Sequence, residues 1–107
     1  MNEQQRTRLG GYIGIAQRAG KAAAGDVSAR EALLKGKASL LVLAADASAQ
    51  VRRELLDLAE DLPVVEWPDK LDLGRLVGKS RRGAVAILDQ GLAKAMVKVL
   101  ETEENEV

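Results

Sequence analysis

A chain of 107 residues, 47% of them apolar, has the length of one domain and enough apolar side chains to build a core without a staple. It has no Cys for a disulfide and no apolar run near the roughly 20 residues of a membrane span, and Met1–Arg6 lacks the apolar stretch of a signal peptide. The expectation is a soluble protein of the cytoplasm. The formal net charge of zero hides a segregation. Residues 1–37 hold seven bases and three acids, residues 38–67 two bases and six acids, and residues 68–100 again seven bases and three acids. If the fold joins the two basic segments, one end of the molecule becomes electropositive, as a polyanion partner requires. The other reading is ordinary solvated faces.

Asn2 to Ala19 reads as a first helix. Asn2 and Gln5 have capping-box spacing, and Leu9, Tyr12, Ile13 and Ala16 share one face. Gly20 stops it. Lys21–Ala24 is a short strand. Gly25-Asp26 opens a second helix that ends near Gly36, with Asp26 as its expected N-cap. Leu40–Ala44 is apolar throughout, the pattern of a strand covered on both faces, as in the middle of a parallel sheet. Ser48 to Asp61 forms a third helix, stopped by Pro63. Val64–Trp67 is a strand, Asp69–Val77 a short helix, and Gly78–Gly83 a basic loop. Ala84–Leu88 is a second buried strand. A last helix begins at Asp89 or Gln90, with Leu92, Met96, Val99 and Leu100 on one side. Residues 101–107 hold four acids and no base and are expected to be a disordered tail. Strands alternating with helices predict an α/β protein, a three-layer α/β/α sandwich around a sheet of about four strands.

Several chemistries are excluded. Without His or Cys the chain lacks the commonest transition-metal ligands, the usual general base and a thiol nucleophile. Ser28, Ser39, Ser48 and Ser80 have only lysines or carboxylates as activating partners. No catalytic residue, metal or cofactor is expected. Gly14–Ala22 puts five residues between its glycines and Ala after Lys21, so it is not a Walker phosphate loop.

Two stretches suit anions. One is the start of the second helix, where free N–H groups and a partial positive charge lie near Lys21 and Arg30. A plain strand–turn–helix junction capped by Asp26 reads equally from those residues. The other is the 78–83 loop, whose Arg81 and Arg82 can each place two parallel hydrogen bonds on a phosphate or purine edge. Its alternative is a solvated turn. One Trp, one Tyr and no Phe argue against an aromatic platform for single strands.

The sequence resembles the L7Ae/L30e ribosomal-protein family, in its bacterial YlxQ-type branch. The resemblance rests on Leu9–Lys21 (Leu-Gly-Gly-Tyr-Ile-Gly-Ile-Ala-Gln-Arg-Ala-Gly-Lys), Gly25, Lys35–Ala38, Leu41–Ser48 (Leu-Val-Leu-Ala-Ala-Asp-Ala-Ser), Leu73-Gly74, Gly78-Lys79 and Ala84–Asp89. It covers about residues 5–100 and implies one L30e-like domain over 1–100 with a mixed sheet. It further implies binding of structured RNA, kink-turn or ribosomal, at the second helix start and the loop before the last strand. The residues so implicated are Lys21, Gly25, Asp26, Val27, Ser28, Arg30, Lys37, Lys79, Ser80, Arg81 and Arg82. The family's helix start reads Gly-x-Asn-Glu-x-x-Lys. Here only Gly25 is kept, with Val27, Ser28 and Glu31 at the other three positions, while the loop is more basic. The expectation is a shift from base reading toward phosphate contact, with Arg30 partly replacing the lost Lys. Ribosomal or translation proteins are the other expected partners, no membrane is, and a monomer is expected. The alternative is a protein-interaction module of the same fold, in ribosome assembly or translation, that has lost specific RNA binding.

Overall fold

A computed structural model describes residues 1–102. Five helices alternate with four strands: α1 (Glu3–Arg18), β1 (Ala22–Ala24), α2 (Asp26–Leu34), β2 (Leu40–Ala44), α3 (Ala49–Ala59), β3 (Val64–Trp67), α4 (Lys70–Leu76), β4 (Ala84–Ile87) and α5 (Gln90–Glu101). The strands form one sheet in the order β1-β4-β2-β3. Side chains alternate across it. Leu40, Val42 and Ala44 join Val85 and Ile87 in a core with Leu9 and Ile13 of α1, Leu73 of α4 and Met96 and Val99 of α5. Leu41 and Leu43 join Ala84 and Ala86 in a second core with Ala29 and Leu33 of α2 and Leu55 of α3. These are the three expected layers. Among the described residues no helix is long and apolar enough to cross a membrane.

The sheet is mixed, as the resemblance implies, so β2 is not flanked by parallel strands on both sides as its apolar run alone suggests. β2 runs parallel to β3 but antiparallel to β4, with Val42 beside both Val65 and Val85. The cause lies in α4, whose seven residues span only about 10 Å. It does not carry the chain back along the sheet, so β4 starts at the end where β3 finishes and runs the other way.

The helix ends follow the chemistry of their first residues. Asn2 accepts the Gln5 N–H at 2.8 Å while Gln5 Oε1 accepts the Asn2 N–H at 2.8 Å, the expected capping box. Ser48, Asp69 and Asp89 cap α3, α4 and α5 through their side-chain oxygens. α2 departs from expectation. Its N-cap is Gly25, at φ 112°, and no side chain caps it. That φ is reached freely only by Gly, so the turn closes one residue early and Asp26 becomes the first helical residue. Asp26 is therefore not the cap.

Of the expected tail, 101–107, the first two residues are described. Glu101 ends α5, and Thr102 closes the helix by donating from Oγ1 to the Lys98 carbonyl at 2.8 Å. Residues 103–107 lie outside the described residues.

Candidate nucleic-acid interface

β1, β2 and β3 all end at one edge of the sheet, and β4 begins there. The 78–83 loop is anchored at this end from both sides. The Gly25 N–H donates to the Ala84 carbonyl at 2.8 Å, and the Ala44 N–H donates to the Gly83 carbonyl at 2.8 Å. The Arg82 N–H donates to the Lys70 carbonyl at 3.1 Å, and the Lys70 N–H donates to Asp46 Oδ1 at 2.8 Å. Gly74 makes the loop's approach to α4 possible. A Cβ there would collide with the Ser80 carbonyl group.

The result is a recess of about 430 Å3 lined by Ala24, Gly25, Asp26, Val27, Ser28, Lys70, Arg81, Arg82 and Gly83. The two stretches singled out in the sequence therefore meet. Since α2 lacks a side-chain cap, the N–H groups of Asp26, Val27 and Ser28 have no hydrogen-bond partner among the described residues. Three cations, Lys70, Arg81 and Arg82, share the recess with one carboxylate, Asp26. Asp26 Oδ1 is buried without a hydrogen-bond partner, and a Cβ on Gly83 would come within 3.0 Å of it. Arg82 is half-buried and held in the loop, donating to Ser80 Oγ at 3.2 Å and the Arg81 carbonyl at 2.8 Å. Arg81 and Val27 are exposed. Such a pocket offers anions backbone amides, two guanidiniums and an ammonium.

The remaining implicated residues distribute differently. Ser28, Lys37 and Lys79 line a second recess, of about 390 Å3, along β1, together with Gln17, Glu31 and Lys35. Ser28 is common to both. Ser80 lies in the anchored loop itself. Lys21 lines neither recess. Its carbonyl pairs with Leu88 at the opposite end of the sheet. Arg30 turns toward α3, where Nε and Nη2 donate to the two oxygens of Glu54 at 2.8 and 2.9 Å. That pairing, hydrogen bond first, holds the Glu54 carboxyl below its usual range and raises Arg30. The substitute for the lost Lys is thus already engaged.

Lys70 is the residue that linear reading missed. It follows the cap Asp69, but nothing in its spacing ties it to Arg82, twelve positions on. Its place depends on α4, and α4 is fixed by a part-buried hub. Trp67 Nε1 donates to Asp72 Oδ2 at 2.9 Å, and Arg6 and Arg75 donate to the same carboxylate at 3.2 and 2.6 Å. Burial pushes the Asp72 carboxyl up, but the hydrogen bonds from Arg75, Trp67 and Arg6 outweigh it and hold its pKa at about 2. Among the described residues no cluster of acids could hold a metal ion.

Residues 7–97 match the ribosomal protein L7Ae/L30e/S12e/Gadd45 family. The chain belongs to that family. Within it, the chain is 30% identical over 91 residues to "RNA-binding protein YlxQ" of Bacillus subtilis, covering 83% of this chain and 91% of that protein. It is 29% identical over 103 residues to the YlxQ protein of Enterococcus faecium, covering 94% and 99%. Among solved structures, a Bacillus halodurans protein of unknown function superposes with a TM-score of 0.80 at 25% identity, over 88% of this chain and 97% of that one. The Giardia lamblia 15.5kD RNA binding protein gives a TM-score of 0.80 at 24% identity, over 94% and 88%, a likeness of fold. The L7Ae-family sheet and layers described above are those of these relatives.

Proposed function

We propose that this chain is a non-catalytic RNA-binding protein whose domain, residues 1–100, holds structured RNA at the α2 start and the 78–83 loop. One observation carries the proposal. The only helix start left without a side-chain cap among the described residues opens into a recess with Lys70, Arg81 and Arg82. The family membership and the RNA binding for which the YlxQ relatives are named support the same reading.

The RNA is kink-turn-like or ribosomal, gripped chiefly through phosphates. Val27, Ser28 and Glu31 stand where the family pattern has Asn, Glu and Lys, so side chains able to read guanines are missing from the helix start. On this proposal the protein works as a cytoplasmic monomer in translation or ribosome assembly.

A fluorescence-anisotropy titration tests it, comparing a kink-turn RNA, the same RNA with its G·A pairs converted to Watson–Crick pairs, and a plain hairpin, at two salt concentrations. Three phosphate-facing cations predict a log–log salt slope of about −2 to −3 and similar affinity for all three RNAs. A strong preference for the intact kink-turn means that the altered helix start still reads that shape. Binding to none of them, at either salt, overturns the proposal and favours the protein-interaction module.

A further inference from the structure

The opposite end of the sheet carries a different surface. There the turn before β2, the turn before β3 and one side of α5 enclose a groove of about 490 Å3. Its floor is apolar, formed by Ala38, Leu62, Pro63, Ala93 and Val97. Lys94 and Lys98 stand on its rim, both exposed and without an ion-pair partner among the described residues. Ser39 and Gln90 also line it, and their side chains make no hydrogen bond among those residues. The four steps of β2 separate this end from the RNA recess by roughly 13 Å of strand.

We infer that this groove docks an extended acidic segment of a partner protein, with an apolar side chain on the floor and carboxylates on Lys94 and Lys98. The spacing fits. Lys94 and Lys98 lie one helical turn apart, about 6 Å along the axis. Carboxylates two residues apart on an extended chain are about 6.6 Å from each other and point the same way. The residue between them faces the other side, as do those flanking the pair, so the apolar anchor lies two residues beyond either end of it. Glu101 lines the groove one turn beyond Lys98 and repels a third carboxylate, which limits the segment to two acids at this rim. Ser39 and Gln90 supply polar partners for its backbone. The floor disfavours nucleic acid, because no aromatic residue lines it for bases to stack on. The inference does not depend on the RNA reading, because the two surfaces share no residue.

The test is selection from a displayed library of random 12-residue peptides on the full chain, followed by mapping of the winners through backbone amide shifts. Selected peptides should share two acids two residues apart with an apolar residue two positions beyond the pair, and shift amides of α5 and residues 38–39 and 62–63. Lys94→Glu with Lys98→Glu should lower their affinity at least tenfold while the melting curve stays intact and RNA affinity stays within twofold. Enrichment of no peptide, a consensus without acids, or full binding by the double variant overturns the inference. So does a dimer by light scattering that the double variant abolishes, which makes a second copy the occupant. Loss of RNA affinity in that variant assigns the groove to nucleic acid and overturns it equally.

Discussion

The starts of α2 and α5 differ in how their free amides are used. At α5, Asp89 accepts the Leu92 N–H at 2.9 Å, and the helix start is complete within the chain. At α2, Gly25 offers no side-chain oxygen, and the amides of the first turn open into a basic recess. An internal cap stabilises a helix by about 1 kcal/mol. With Gly as its N-cap, α2 gives up a few tenths of that, and its first-turn donors stay unpaired among the described residues. The comparison teaches that the missing cap is as informative as the arginines opposite it.

The most severe way to break the comparison is Gly74→Ala. The new Cβ meets the Ser80 backbone, so either the loop or α4 must move. About 2–3 kcal/mol of stability should be lost in a denaturant titration, and RNA affinity with it. Next, Arg81→Ala with Arg82→Ala should weaken RNA binding roughly 10- to 100-fold and flatten the salt slope by about 2, with little change in melting temperature. An unchanged affinity would remove the loop from the interface. The cap itself gives a smaller effect. Asp89→Ala should cost about 1 kcal/mol on unfolding and leave RNA affinity alone. Asp26→Ala should show no such cap loss, since Asp26 caps nothing.

The smallest effect is a pH dependence through Asp72. Its folded pKa, about 2, lies below the ordinary carboxylate value. Its contribution is therefore complete above about pH 4 and is lost as pH falls toward 2. Because Arg75 and Arg6 are largely solvated, that contribution is about 1 kcal/mol. Asp72→Asn should remove this acid-side fall in stability, read through the fluorescence of Trp67, the sole Trp.

The layers were legible because their cause is local. The unbroken runs Leu40–Ala44 and Ala84–Ile87 need cover on both faces, and the α1 and α3 periods supply it. The direction of β4 was not, because it depends on how far α4 carries the chain. The residues proposed for RNA could be picked out by charge and resemblance, and the recess unites Gly25–Ser28 with Arg81 and Arg82. Lys70 escaped because only tertiary hydrogen bonds bring it there. Arg30 looked available because its partner Glu54 sits on another helix. Asp26 looked like a cap because it is the usual residue type for one, whereas the backbone at Gly25 decides where the helix begins.

The place of β4 in the sheet also bears on how the protein is made. β4 lies between β1 and β2 and pairs with both, yet it is the last strand to be synthesised. Until Ala84–Ile87 have left the ribosome, β1 has no strand to pair with, and the 78–83 loop has nothing to hold it against Gly25. Domains fold as units during synthesis when their contacts become available, and long-range strand pairing is the slow part. The basic segments therefore stay in separate pieces until β4 is made, and the recess proposed for RNA forms only when that strand slots in.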